Sequence, residues 1–170
     1  VWHLDVGSIR VAARVIEHDN NELITVNSIW YNRIQNRMDN TVGSQQSSII
    51  IGTLLGDGFL ERNGRFVRLI ADHSMKQKEY VLWKARKLSD FKPSINFKRI
   101  KDLRTNKFYE HCIMRTRTSP SFEEYVSLFY KRKRKIVPSS LPRIIKPQVL
   151  AVWIMDDGYR RNDCNALRLN

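Results

Sequence analysis

Two aspartates in this 170-residue chain stand where folding gains least from them. Asp57 lies in "LLGDGFL" (54–60) and Asp157 in "WIMDDGY" (153–159), each at the end of an apolar stretch that closes in glycine. The glycines have a plain explanation, because a residue without a Cβ enters the left-handed C′ position of a helix cheaply. The aspartates do not share it. A carboxylate in the last helical turn faces the negative end of the macrodipole, at roughly 0.3–1 kcal/mol, and burial adds desolvation. If the two helices pack side by side in parallel, both carboxylates arrive at one end. Gly52 and Ala151 would then let the backbones approach closely. Two converging carboxylates make a hard oxygen site suited to Mg2+, an ion that can polarise a phosphodiester and activate water. Spacing alone leaves two readings open: glycine caps with incidental aspartates, or one cation site.

The charge of the chain says what such a site would meet. Net charge is +13 and the sequence pI about 10.1, which calls for a polyanionic partner. There is no apolar run of 18 residues, and the basic stretches are not amphipathic helices, so nucleic acid is favoured over a membrane surface. Residues 60–117 carry 16 Lys/Arg against 6 Asp/Glu, far from the mixed surface of a merely soluble domain. Within that block Arg65 and Arg68 belong to one expected hairpin. Lys98, Arg99, Lys101, Arg104, Arg115 and Arg117 belong to a second. A basic β-ribbon can enter the major groove of double-stranded DNA, where arginine reads guanine and either cation holds phosphates.

The elements that must carry these groups follow from pattern. Residues 8–26 read as two β-rich runs around Asp19-Asn20-Asn21, and 27–40 show weak helical spacing. "TVGSQQSS" (41–48) reads as a polar linker whose Ser47 or Ser48 caps a buried helix over 49–58. Next come a hairpin turning at Asn63-Gly64 and an amphipathic helix over 75–91 with Val81, Leu82, Ala85, Leu88 and Phe91 on one face. A second hairpin turns at Thr105-Asn106-Lys107, and Ser121 and Glu124 have capping-box spacing for another helix. Pro147 opens the last helix. "KRKRK" (131–135) reads as a solvated helix end, a localisation signal or a phosphate clamp. His73 and His111 read as isolated structural or DNA-facing groups, and Trp83 and Trp153 as core. Cys112 and Cys164 are too few for a disulfide scaffold or zinc site. Reduced thiols in an intracellular, reducing compartment (cytoplasm, nucleoid or organelle matrix) are expected. The chain begins at Val1 and stops in strand-like "NALRLN", so a fragment of a longer protein is expected.

"IIGTLLGDG" (50–58) and "LAVWIMDDG" (150–158) resemble the two signature helices of LAGLIDADG homing endonucleases, and "KIVPSSL" (135–141) resembles the Lys-x-(Ile/Val)-Pro stretch before the second motif in monomeric, intron-encoded members. The resemblance runs from about Ile49 to Asn170. It implies an α+β, αββαββα fold with 49–149 as the first half-domain, 150–170 as the start of the second, and 1–40 as an extension of unknown role. It also implies Asp57 and Asp157 as ligands of Mg2+ or Mn2+, Lys135 as a catalytic basic residue beside the scissile phosphate, and a monomeric full-length form. The implied function is site-specific hydrolysis of both DNA strands, serving intron mobility. A maturase acting on intron RNA, a non-cutting regulator, or an inactive fragment are the competing expectations. Two positions depart from the family pattern: Leu55 replaces a frequent acidic residue and Val152 a usual glycine.

Overall fold

A computed structural model of the chain describes residues 4–6, 9–11, 42–160 and 166–169. Of the strand-like N-terminal runs, Ile9–Val11 (β2) is a strand, paired antiparallel with Leu4–Val6 (β1). The Asp19-Asn20-Asn21 turn, the helical spacing of 27–40 and Cys164 lie outside the described residues.

The first long helix, α1 (Ser44–Leu55), is nearly all apolar from Ile49 onward and is buried all round. It starts earlier than its polarity suggests. Ser47 and Ser48 lie inside it, the Ser48 hydroxyl donates to the Ser44 carbonyl at 3.0 Å, and Gly43 holds the N-cap position with no side-chain cap. The supposed linker is therefore the first turns of α1. Strands β3 (Gly58–Asn63) and β4 (Phe66–Ser74) form the first hairpin. Asn63 pairs with Phe66, so the turn residues are Gly64 and Arg65, one position later than expected, and positive φ at Gly64 fits a type II′ turn. After a 3-10 turn at Met75–Gln77 come α2 (Lys78–Lys87) and the second hairpin, β5 (Ser94–Lys101) and β6 (Phe108–Arg115). The four strands form an antiparallel sheet in the order β3-β4-β6-β5.

The rest of the chain returns to α1. Ser119 caps the next turn by accepting from the Ser121 amide, replacing the expected Ser121–Glu124 box, and α3 (Glu123–Phe129) follows. "KRKRK" is not a helix end. It forms β7 (Tyr130–Lys131) and β8 (Arg134–Lys135), joined by Arg132 and Lys133, both at positive φ, as a type I′ turn requires. A short α4 (Leu141–Ile144) leads into α5 (Pro147–Asp157), which opens on Pro147 as expected and runs into β9 (Gly158–Arg160). Strand β10 (Leu167–Leu169) pairs antiparallel with β9 and parallel with β1.

Helices α1 and α5 pack in parallel because glycines on α1 admit the other backbone. A Cβ on Gly52 would lie 2.6 Å from the Val152 Cβ, and one on Gly56 would lie 2.3 Å from the Asp156 Cβ. Ala151 is exposed, so Val149 and Val152, not alanine, face Gly52. Gly52→Ala and Gly56→Ala are each expected to lose about 1–3 kcal/mol by overpacking. For Gly52 part of this is offset by the better helix propensity of alanine, about 1 kcal/mol. Urea unfolding measures both, and Gly56→Ala should be the worse. Gly58 and Gly158 do not act as left-handed caps. Gly158 is extended at φ −84°, and a Cβ on Gly58 would sit 2.3 Å from the Thr53 Cγ2, so these glycines let a strand leave the helix end at close quarters.

Candidate active site and nucleic-acid face

Parallel packing brings the two motif ends together. Asp57 lies between the end of α1 and the start of β3, with its side chain 42% exposed. Burial pushes its carboxyl above the usual range; His73 opposes that, while the charges of Asp156 and Asp157 add to it. The three aspartates therefore share one electrostatic neighbourhood. Asp157, the last residue of α5, is half-buried, and its side chain makes no hydrogen bond or ion pair among the described residues.

Lys135 reaches the same place from the I′ hairpin. Its Nζ donates to the Gly56 carbonyl at 2.7 Å and the Gly58 carbonyl at 2.9 Å, bracketing Asp57 along the backbone. Burial pulls Lys135 below the ordinary lysine value, and the charges of Asp57, Asp157 and Asp156 oppose that pull. The three residues expected to act in catalysis thus share one electrostatic neighbourhood.

The sequence reading missed what lies behind it. Asp156 takes the place opposite Gly56, and its side chain is fully buried. Lys84, on α2, is buried as well, and its Nζ donates to both Asp156 oxygens at 2.7 and 2.8 Å. Desolvation pulls Lys84 below its ordinary value, against the attraction of Asp156. The Tyr80 hydroxyl donates to Asp156 Oδ1 at 2.7 Å, and desolvation with that carboxylate raises the phenol far above its usual range. His73, on the core face of β4, is neither isolated nor DNA-facing. Its Nε2 lies 3.3 Å from Lys84 Nζ and its Nδ1 3.5 Å from Asp57 Oδ2. A signal for this cluster was present: Val81, Lys84 and Leu88 occupy one helical stripe, with a cation among buried apolar residues.

As a cation site the donor set is sparse but suitable. Among the described residues no group of three or more His, Cys, Asp or Glu is arranged to hold a metal ion. Asp57 and Asp157 offer two carboxylates, partly open to solvent, and Mg2+ uses one or two such groups with water and substrate phosphate.

The sheet sorts the expected DNA contacts by alternation. Register places Val67, Leu69, Ala71, Cys112 and Met114 under the helices. Arg68, Lys98 and Arg115 stand on the opposite face. Arg68 is tied there to Glu61, and His111 to Asp72 at 2.8 Å. Arg99 and Lys101 alternate to the helix side, where both lie over the Phe108 ring, at 4.6 and 6.0 Å. Arg65 and Arg104 occupy the two hairpin turns, and Arg117 follows the end of β6. Lys98→Ala and Arg115→Ala are expected to weaken duplex binding and to reduce its log–log salt slope by about 0.9 for each phosphate no longer neutralised. Arg99→Ala and Lys101→Ala should leave that slope unchanged. Titrations at several salt concentrations decide it.

A family model described as the LAGLIDADG DNA endonuclease family matches residues 47–170. DNA endonuclease I-ChuI of Chlamydomonas applanata is 32% identical over 142 residues, covering 74% of this chain and 63% of that protein. Cytochrome b mRNA maturase bI2 of Saccharomyces cerevisiae is 30% identical over 137 residues, covering 72% and 32%. Among solved structures, the homing endonuclease I-WcaI bound to its DNA recognition sequence shares the fold, with a TM-score of 0.64 at 19% identity over 75% of this chain and 58% of that one. The chain therefore spans less than two thirds of the length of these relatives.

Proposed function

The chain belongs to the LAGLIDADG DNA endonuclease family, and on that premise we propose that it is a site-specific homing endonuclease that hydrolyses both strands of duplex DNA with a divalent cation. The observation that carries this reading is the meeting of Asp57, Asp157 and Lys135 at one end of the parallel helix pair. Mg2+ or Mn2+ held by Asp57 and Asp157 supplies Lewis-acid polarisation of the phosphodiester and activation of water. The protein's own groups do the rest. Gly52 and Gly56 set the separation of the two helix ends. Lys135, held by two backbone carbonyls, presents a fixed positive charge where negative charge develops on the phosphate, an arrangement that needs no reorganisation during reaction. The outward sheet face, with Lys98 and Arg115, holds the duplex in register above the helix ends.

Lys135→Met is expected to slow cutting by about 10²–10³-fold, far more than it weakens DNA binding. A single lysine serves one scissile phosphate better than the other, so nicked circles should accumulate before linear product. Incubating the chain and Mg2+ with a randomised duplex library, and recovering cut molecules, tests the reading. Enrichment of one site with defined ends supports it. Tight binding of duplexes with no cut products at any site overturns it. That result favours the second reading, an RNA maturase, which the similarity to cytochrome b mRNA maturase bI2 brings forward. Against that second reading, a pure binder has no use for two carboxylates facing its polyanionic ligand.

A further inference from the structure

The three N–H bonds of an ammonium can only donate. Lys84 directs two of them at Asp156 Oδ1 and Oδ2, at 2.7 and 2.8 Å, leaving one for His73 Nε2 at 3.3 Å. Nε2 therefore accepts, and the hydrogen of a neutral imidazole must sit on Nδ1. That nitrogen points out of the core, 3.2 Å from Gln77 Oε1 and 3.5 Å from Asp57 Oδ2. The ring is packed in place. Its side chain is 0% exposed, with the Tyr80 ring edge-on at 5.6 Å and Asp156 Oδ1 3.9 Å from Nε2. Asp57, by contrast, is 42% exposed and no other described side chain holds it by a hydrogen bond or ion pair.

We infer that His73 is a positioning residue for Asp57: Lys84, itself fixed by Asp156, holds the imidazole in its Nδ1–H form, and that hydrogen, shared with Gln77 Oε1, faces Asp57 Oδ2 and favours the carboxylate orientation that turns Oδ1 outward to the cation. The inference rests on the reading of Asp57 as a cation ligand and adds how that ligand is oriented. Residues behind metal ligands fix the orientation of the first shell in this way, and their loss typically weakens metal binding about 10–100-fold. The buried residues of α2, β4 and α5 would thus serve the reaction without touching DNA.

Two measurements on the intact chain test it. The first is a 15N spectrum of histidine-labelled, metal-free protein at neutral pH, expected to show a protonated Nδ1 and a bare Nε2 for His73. A proton on Nε2 overturns the inference. The second is Mn2+ binding followed by electron paramagnetic resonance in His73→Phe, His73→Asn, His73→Gln and Asp57→Asn. His73→Phe should bind Mn2+ about 10–100-fold more weakly. His73→Asn, whose amide N–H falls near the position of Nδ1–H, should recover most of the loss. His73→Gln, whose amide falls nearer Nε2, should not. A merely space-filling histidine has no reason to rank asparagine above glutamine. Wild-type affinity in His73→Phe beside a defect in Asp57→Asn overturns this inference alone. Wild-type affinity in Asp57→Asn overturns the cation site and this inference with it. If His73→Phe does not fold, the asparagine–glutamine ranking and the spectrum still decide.

Discussion

Asp57→Asn is expected to reduce the rate of DNA cleavage by on the order of 10³-fold or more, because a bound divalent ion contributes several kcal/mol of transition-state stabilisation. DNA affinity measured without divalent ions should be unchanged or slightly higher, since a negative charge facing phosphate is removed. Stability should not fall. The fold raises the Asp57 carboxyl above its ordinary value, so the native state holds that proton more tightly than the unfolded chain does. Stability from this group is therefore present below the unfolded carboxylate value and lost as pH rises through the folded one. At neutral pH the ionised form works against folding, and an amide of the same shape relieves it. The melting temperature and a gel assay on one preparation separate the two effects. A melt that drops together with activity would mean that Asp57 is structural.

The second large effect lies behind the site. Lys84→Met leaves Asp156 as an unpaired carboxylate whose side chain is fully buried. Removing one partner of such a pair typically costs about 3–5 kcal/mol, a large fraction of the roughly 5–15 kcal/mol that holds a domain together. Asp156→Leu should be comparably damaging through the stranded ammonium of Lys84. The double variant Lys84→Met/Asp156→Leu removes both charges and should recover most of the loss, because a buried pair contributes little over well-packed apolar groups. Urea unfolding of the three variants gives the coupling directly. Additive losses in the double variant would mean that the two side chains do not depend on each other. The pair thus marks a site where charge is kept in the core at some expense, beside the carboxylates expected to act on DNA.

What was legible in the sequence was what repeats or alternates. The two Asp-Gly helix ends, a hundred residues apart, pointed to the parallel pair, and the alternating strands pointed to both hairpins. Cross-chain partners were not legible. Nothing local says that Asp156 answers Gly56, although "GDG" and "DDG" differ at that position alone. The packing of α1 on α5 turns that difference into a buried ion pair. In "KRKRK" charge density suggests a solvated helix end, while two non-glycine residues at positive φ bend it into a hairpin. That bend carries Lys135 to the carbonyls of Gly56 and Gly58. Charge density likewise groups the basic residues of β5 together. Strand alternation separates Lys98 from Arg99 and Lys101, and composition cannot show it.

One measurement bears most directly on the central claim, that Asp57 and Asp157 bring a divalent ion to the phosphate that is cut. A selected target site is synthesised with sulfur replacing a non-bridging oxygen at the scissile phosphate, and its cleavage is followed in Mg2+ and in Mn2+. Mg2+ prefers hard oxygen ligands, whereas Mn2+ accepts softer ones. The expected result is slow cutting in Mg2+, recovery in Mn2+ with one sulfur stereoisomer, and no recovery in Asp57→Asn or Asp157→Asn. Equal rates on the oxygen and sulfur substrates in Mg2+, with either aspartate dispensable, would contradict the account.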